Sequence, residues 1–481
     1  MNISSIQRQS IITLSSTIAL TGIGFLSTIY FAHILGPAPL GAYFLLLAYF
    51  GTLNLIGDGG FGGAAIKRVS EGKEQDEYFS SFVFIRIVFL VLSVSLLLFA
   101  EPYFKDLNSA GVFFWLLLTL IVSVFSSISL VGVYGAGKVG ISQISTIVDA
   151  LIRTLVQIIA VFLGFGVAGL SGGFVAGLLA GGIMNFHYID LRLVRFRLSH
   201  LKNLSGFSFW IFLTASGSLV FCYADTILIG YFMSNADVGI YRTAFQLTSV
   251  ATFTTLAFHT VLYPKISSWG MKGNLRDVEN SLARAFTYSL FLAIPACIGG
   301  WILGDRLLYF LYGASFVEGA PALVFLLLVQ VVNVFMYLGT MCLTALNRPK
   351  DAFRVTFVAA IANILLDIVL IPVFGITGAA VATLVAMTIN AGGALVLLSR
   401  IISVKYEHQQ IKHIVYAAGL MGIIVVCIHL FIPLTNVIFV IAVVILGGVI
   451  YLVGLLNLDR EIHDELRNLS INLGLPWPRW L

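Results

Sequence analysis

TIYFAHILGPAPLGAY, residues Thr28 to Tyr43, returns 198 residues further on as TILIGYFMSNADVGIY, residues Thr226 to Tyr241. The offset superposes Thr28 on Thr226, Ile29 on Ile227, Ala38 on Ala236, Gly41 on Gly239 and Tyr43 on Tyr241. In each copy an apolar run ends, a short turn follows, and a Gly-x-Tyr opens the next apolar run. A second echo, FGVAG at Phe165 to Gly169 and FGITG at Phe374 to Gly378, recurs at an offset of 209. Two echoes in the same order along one chain read as an internal duplication.

The duplicated chain is apolar. Its 481 residues are 59% hydrophobic and 10% charged, with a mean hydropathy of +1.01. That leaves too little polar surface to cover a soluble globule, so the composition is that of a multi-pass membrane protein. The first apolar run, from about Ser10 to Leu35, is longer than a signal-peptide core and is read as a retained span. Cys222, Cys297, Cys342 and Cys427 all lie in apolar runs, at spacings that match no metal or redox motif.

A bilayer core of roughly 30 Å takes about 20 apolar residues per helix. That ruler predicts fourteen spans, at residues 10–32, 40–62, 80–100, 111–133, 141–163, 167–189 and 207–232 in the first part of the chain. The remainder fall at 238–262, 283–303, 320–343, 353–373, 377–399, 411–431 and 434–456. Basic residues collect in loops that stay cytoplasmic. With the N-terminus inside, the even-numbered gaps and their flanks hold Lys67, Arg68, Lys73, Lys138, Arg192, Arg195, Arg197, Lys202, Lys265, Lys272, Arg276, Arg284, Arg348, Lys350, Arg354, Arg400, Lys405 and Lys412. The opposite gaps hold Lys105 and Arg306. The alternation predicts both termini on the cytoplasmic side of the cell membrane.

An even number of spans per repeat gives two copies with the same membrane orientation, related by an axis along the membrane normal. The expected fold class is therefore all-α integral membrane, with fourteen transmembrane helices: two six-helix bundles as a parallel repeat around a central cleft, plus two C-terminal helices. The expected boundaries are 1–203 for the first bundle with its cytoplasmic connector, 204–400 for the second, 401–457 for spans thirteen and fourteen, and 458–481 for a cytoplasmic tail. In that tail Ile462, Leu466, Leu469 and Leu473 fall at helical spacing, followed by Trp477 and Trp480, which predicts an interfacial amphipathic helix. The connector DLRLVRFRLSHLK, Asp190 to Lys202, reads as a positive-inside loop or, more pointedly, as an amphipathic surface helix touching anionic head groups.

Seven ionisable residues lie clear of the predicted span ends: Asp58, Arg86, Asp149, Arg153, Asp225, Arg242 and Asp367. A charge at mid-bilayer costs about 2.5 to 3.5 kcal/mol even on the lenient insertion scale, so each calls for a partner or for water. Depth lets Asp58 meet Arg86 across one hairpin and Asp225 meet Arg242 across another. Asp149 and Arg153, four apart, share one helix face. Each pair either holds helices in register or releases its arginine to an anionic ligand. Arg242, Gln246 and Ser249 fall at i, i+4, i+7, and Thr13, Thr17, Thr21 and Thr28 line span one with Gly24. Such stripes suit a wet cleft or close helix packing. His33, His187 and His259 stand alone near span ends and read as interfacial or packing residues. No phosphate loop, His-Glu-x-x-His helix or nucleophile elbow is present, so no catalytic or metal residue is expected, and no cofactor or nucleic acid.

LGPAPLGAY (Leu35 to Tyr43), its copy around Asp225 to Tyr241, and NILLDIVLIPVFGITGAA (Asn363 to Ala380) give the chain a resemblance to the multidrug, oligosaccharidyl-lipid and polysaccharide exporter superfamily. Within it the chain is most similar to the Wzx-type polysaccharide biosynthesis (O-antigen-like) flippases. The resemblance covers residues 1 to 456 and implies a V-shaped pair of bundles that alternates between inward and outward openings. It implies a polyprenyl-diphosphate-linked oligosaccharide as cargo, membrane lipids as surroundings, proton or sodium coupling, and polymerase or glycosyltransferase partners. On this reading Arg153 and Arg242 contact the diphosphate or anionic sugars, Arg86 guards the cytoplasmic entrance, and Gln246, Ser249, Thr17 and Thr21 line the path. Asp58, Asp149 and Asp225 are resting counter-ions, and Asp367 is a coupling carboxylate or the partner of a neighbouring helix. A cation-coupled multidrug exporter is the alternative within the superfamily, although residues 10–32 lack the acidic residue of that branch. An integral-membrane glycosyltransferase or polymerase is the alternative from another class, and it calls for a large outer loop or catalytic cluster that the chain lacks.

Overall fold

A computed structural model of the chain describes residues 5–432 and 435–472. All regular structure among them is helical, in two compact units, Met1–Arg242 and Thr243–Leu481. In the first unit the helices are α1 (Ser5–Leu35), α2 (Pro37–Asp58), α3 (Phe61–Ser70), α4 (Gln75–Ala100), α5 (Lys105–Ser109), α6 (Phe113–Gly135), α7 (Val139–Phe162), α8 (Gly166–His187) and α9 (Leu198–Phe232), and α10 (Asn235–Thr248) begins in the first unit and ends in the second. The second carries α11 (Phe253–Met271), α12 (Leu275–Tyr312), α13 (Ala320–Ala345), α14 (Pro349–Leu398), α15 (His408–Phe431), α16 (Val437–Leu458) and α17 (Arg460–Asn472). Ten helices of the described residues are long and apolar enough to cross a membrane. One of them, α14, runs 50 residues and contains a non-helical Gly375 at φ 60°. At 1.5 Å per residue a straight helix of that length would be about 75 Å, more than twice a bilayer core.

The repeated hairpins make the same turn with different chemistry. In the first copy Gly36, at φ 75°, precedes Pro37, whose missing N–H costs nothing at the first helical position. In the second copy Asp237 accepts hydrogen bonds from the Ser234 amide at 3.0 Å and the Ser234 hydroxyl at 2.6 Å, capping α10. The two hairpins also pack on each other reciprocally. A Cβ on Gly41 would run into the Asn235 carbonyl and sit 2.6 Å from the Gly239 nitrogen. A Cβ on Gly239 would run into the Pro37 carbonyl and sit 3.1 Å from the Gly41 nitrogen. The repeat offset maps Gly41 on Gly239 and Pro37 on Asn235. Each copy therefore presents the same patch to the other, as in an isologous two-fold contact.

Three expectations change. Span two is expected over residues 40–62. Instead α2 stops at Asp58, Gly59 and Gly60 take φ 56° and 78°, and α3 restarts at Phe61. Ala64, Ala65 and Val69 of α3 are fully buried against α4, α6 and α9, so the segment is packed rather than solvated. Span eight was read as one helix over 238–262, but a 3₁₀ turn at Ser249–Thr252 separates α10 from α11. There the hydroxyls of Thr248, Ser249 and Thr252 each donate back to the carbonyl three residues earlier, at 2.7 Å, competing with the helical ladder. Of the two readings of the connector the loop holds and the surface helix does not: residues 189–197 form no regular structure and α9 begins at Leu198. Its backbone amides at Arg192 and Val194 donate to Asp76 and Ser80, both at 2.9 Å, in place of a helical ladder.

The tail forms α17, with Ile462 buried. Leu473, Trp477 and Trp480 lie outside the described residues, as do the side chains of Leu466 and Leu469.

Candidate functional site

Three polar groups sit among the apolar helices of the first unit. At the α2–α3 break, Arg86 of α4 is 2% exposed and lies 3.7 Å from Asp58. It also donates from Nη2 to Asn54 Oδ1 at 3.1 Å and from Nε to Ser127 Oγ at 3.2 Å. Asp58 in turn accepts the Gly62 amide at 3.2 Å. A Cβ on Gly62 would lie 2.9 Å from that carboxylate, so glycine is what lets the chain return close to it. Arg86 is thus a tie between α2, α4 and α6.

The second group runs along α7. Asp149 and Arg153 stand 3.7 Å apart, both partly exposed, and the guanidinium lies 5.6 Å from the Phe174 ring of α8. One turn on, Gln157 Nε2 donates to the Tyr43 hydroxyl at 2.9 Å and to the Leu170 carbonyl at 2.8 Å. Small residues on α8 allow this approach: a Cβ on Gly177 would lie 2.7 Å from Arg153 Cβ. Tyr43, the motif tyrosine of the first copy, is thereby locked to the helix that carries Arg153.

Tyr241, the motif tyrosine of the second copy, is 1% exposed and donates to Asp225. Arg242 donates from Nη1 to the Cys222 carbonyl at 3.1 Å and lies 5.8 Å from the Phe44 ring. Phe44 and Arg242 are equivalent positions of the repeat. The reciprocal contact of the glycines therefore extends into a cation–π pair in which the first copy supplies the ring and the second the charge. Thr28 turns its hydroxyl to the Gly24 carbonyl at 2.8 Å. Thr21 is exposed, and the side chains of Thr13 and Thr17 lie outside the described residues.

In the second unit Gln330 donates to Thr248 Oγ1 at 2.9 Å and receives Asn333 Nδ2 at 3.0 Å, anchoring α13 to the start of the 3₁₀ turn. The stripe expected at Arg242, Gln246 and Ser249 does not continue past α10, because Ser249 begins that turn and bonds to the Gln246 carbonyl. Asp367 is fully buried on α14, with Asn363, also fully buried, one turn before it. The 3₁₀ turn forms one wall of an apolar cavity of about 470 Å³, lined among others by Val250, Phe291, Pro295, Leu323, Met421 and Tyr451. Among the described residues no group of three or more His, Cys, Asp or Glu is placed to hold a metal ion.

Asn54, Ser127 and Gln157 were not foreseen as site residues. Two carried a usable signal: Asn54 precedes Asp58 by four and Gln157 follows Arg153 by four, so each extends a charged stripe on its own helix.

Helices long and apolar enough to cross a membrane, holding arginines and aspartates in their interior, are those of a multi-pass membrane protein. Residues 30–321 match the family of polysaccharide biosynthesis proteins, and the chain belongs to that family. It is a membrane transporter of polysaccharide biosynthesis. Two Haloferax volcanii proteins are similar over most of their length. The "Probable low-salt glycan biosynthesis flippase Agl15" is 26% identical, over 84% of this chain and 86% of that one. The "Probable flippase AglR" is 27% identical, over 97% and 99%. Among solved structures, the lipid II flippase MurJ in its inward closed conformation superposes with a TM-score of 0.78 at 19% identity, over 92% of this chain and 98% of that chain. That last likeness is one of fold.

Proposed function

We propose that the protein flips a polyprenyl-diphosphate-linked oligosaccharide from the cytoplasmic to the outer leaflet by alternating access. The observation that carries this reading is the pair of half-exposed arginines, Arg153 and Arg242, each resting against an aromatic ring among apolar helices. A guanidinium presents a planar set of donors that matches a phosphate in a fork. Family membership and the flippase names of the two similar proteins support it. The positive charge of the arginines suits the anionic head of such a lipid. No covalent step is needed, only two states that bind the head group differently.

In this reading the chain crosses the membrane fourteen times with both ends cytoplasmic, as two six-helix repeats and two further spans. The residues of α14 on either side of Gly375 make two crossings. Arg153→Ala and Arg242→Ala are each expected to lose translocation of a fluorescent lipid-linked oligosaccharide in proteoliposomes while inserting normally. Each charge-assisted hydrogen bond to the diphosphate is worth about 1.5–3 kcal/mol, roughly 10- to 150-fold in binding. Unchanged rates in both variants would overturn the site.

Asp367 serves in the same reading as the coupling carboxylate, for a proton or sodium ion. Asp367→Asn is expected to leave binding of the lipid-linked oligosaccharide intact and to abolish the response of transport to an imposed cation gradient. A variant that still responds as the parent does assigns Asp367 to helix packing.

A further inference from the structure

The connector, residues 189–197, is held at both ends and in the middle. At its start Lys138 pairs with Asp190 and donates to the Tyr188 carbonyl at 2.9 Å. Its middle is fixed by Asp76 and Ser80 of α4. At its end the Arg197 amide donates to His200 Nδ1 at 3.0 Å, so His200 Nε2 carries the proton toward Glu74 Oε2 at 3.3 Å. His200 is buried, edge-on to Tyr78 at 5.0 Å. Phe196 packs on Phe84, ring centres 5.6 Å apart.

These contacts use the backbone and the side chains of Asp190, Phe196 and His200. Facing outward are Leu193, Arg195 and Arg197, and Val194 between them is also exposed. Leu193 is 71% exposed, and Arg192 and Leu198 are exposed too, the latter by 84%. Among the described residues no carboxylate lies within ion-pair distance of Arg192, Arg195 or Arg197.

The depth of the strap follows from α4. That helix begins with Gln75, Asp76 and Glu77, and from Phe84 onward it exposes large apolar side chains at Ile87, Val91, Leu92, Leu96 and Phe99. The strap reaches Phe84, so it lies where α4 turns from polar to lipid-facing. Leucines left bare between arginines suit that boundary, where apolar side chains enter the acyl region and cations meet head groups. We propose that the outward side of this strap, Leu193, Arg195 and Arg197 flanked by Arg192 and Leu198, docks the phosphate-bearing head groups of anionic phospholipids in the leaflet it borders. Because the backbone is already fixed, docking orders little new chain.

The test uses the purified full chain in detergent, titrated with fluorescent phosphatidylglycerol and, separately, with phosphatidylcholine. Each basic side chain near an anionic surface is worth about fivefold in affinity, so an Arg192→Gln/Arg195→Gln/Arg197→Gln variant is expected to lose about 100-fold for phosphatidylglycerol and nothing for phosphatidylcholine. The corresponding triple Arg→Lys variant is expected to bind as the parent does. Inorganic phosphate at equal concentration is expected not to compete. Equal phosphatidylglycerol binding by the Gln variant overturns the proposal, as does equal binding of the two lipids by the parent or full competition by inorganic phosphate. If the triple Gln variant fails to fold, Arg195→Gln alone carries the test: about a fivefold loss is expected, and no loss overturns it.

Discussion

Gly41→Ala is expected to force the two copies of the repeat apart and to lower the melting temperature of the purified protein. The new methyl group meets the Asn235 carbonyl and the Gly239 nitrogen, at 2.6 Å from the latter, and backbone cannot swing aside as a side chain does. Overpacking a tight site costs about 1–3 kcal/mol, and a clash with main chain belongs at the upper end of that range. Reciprocity makes a second prediction of the same size. Gly239→Ala meets the Pro37 carbonyl carbon at 2.9 Å and is expected to match Gly41→Ala in both stability and transport. Gly419→Ala is the control, since a Cβ there meets nothing within 4 Å. If Gly41→Ala melts with the parent, the reciprocal contact of the hairpins is not what holds them.

Arg86→Ala is expected to have the largest effect on stability, about 3–5 kcal/mol, because it strands the Asp58 carboxylate and removes one hydrogen bond each from Asn54 and Ser127 at once. Replacing both charges by apolar groups avoids the stranded carboxylate. Asp58→Leu/Arg86→Met is therefore expected to recover part of what Arg86→Ala loses, read from thermal unfolding in the same detergent. A double variant less stable than the single one would mean that the pair is not the source of the cost. Tests of transport with Arg153 and Arg242 variants do not depend on this outcome, since those arginines lie on α7 and α10.

Much of this was legible where stereochemistry left little choice. The Gly-x-Tyr of each hairpin survives in both copies because the glycines touch backbone and both tyrosines are committed, Tyr43 to Gln157 and Tyr241 to Asp225. The spacing of Asp149 and Arg153 put them on one face, and depth brought Asp58 level with Arg86; the structure places each pair 3.7 Å apart. Neutral partners were harder to see, since an Asn, Ser or Gln among apolar residues looks the same whether it binds a charge or its own backbone. The break after α10 was hidden for the same reason. Thr248, Ser249 and Thr252 read as a polar helix face, and only geometry shows that they take carbonyls from the ladder. The connector was ambiguous because its Arg-Leu-Val-Arg-Phe-Arg run fits a helix face or a positive-inside loop, and the choice was made by Asp76 and Ser80, more than a hundred residues away.

The most direct measurement is reconstitution of the purified full chain into liposomes with a fluorescent polyprenyl-diphosphate oligosaccharide, scoring exposure of the sugar to an externally added quencher. The account predicts that the protein moves the labelled head group across the bilayer without nucleotide, and that Arg153→Ala and Arg242→Ala slow it. No movement of the lipid-linked oligosaccharide, together with export of a small cationic drug by the same vesicles, would contradict it.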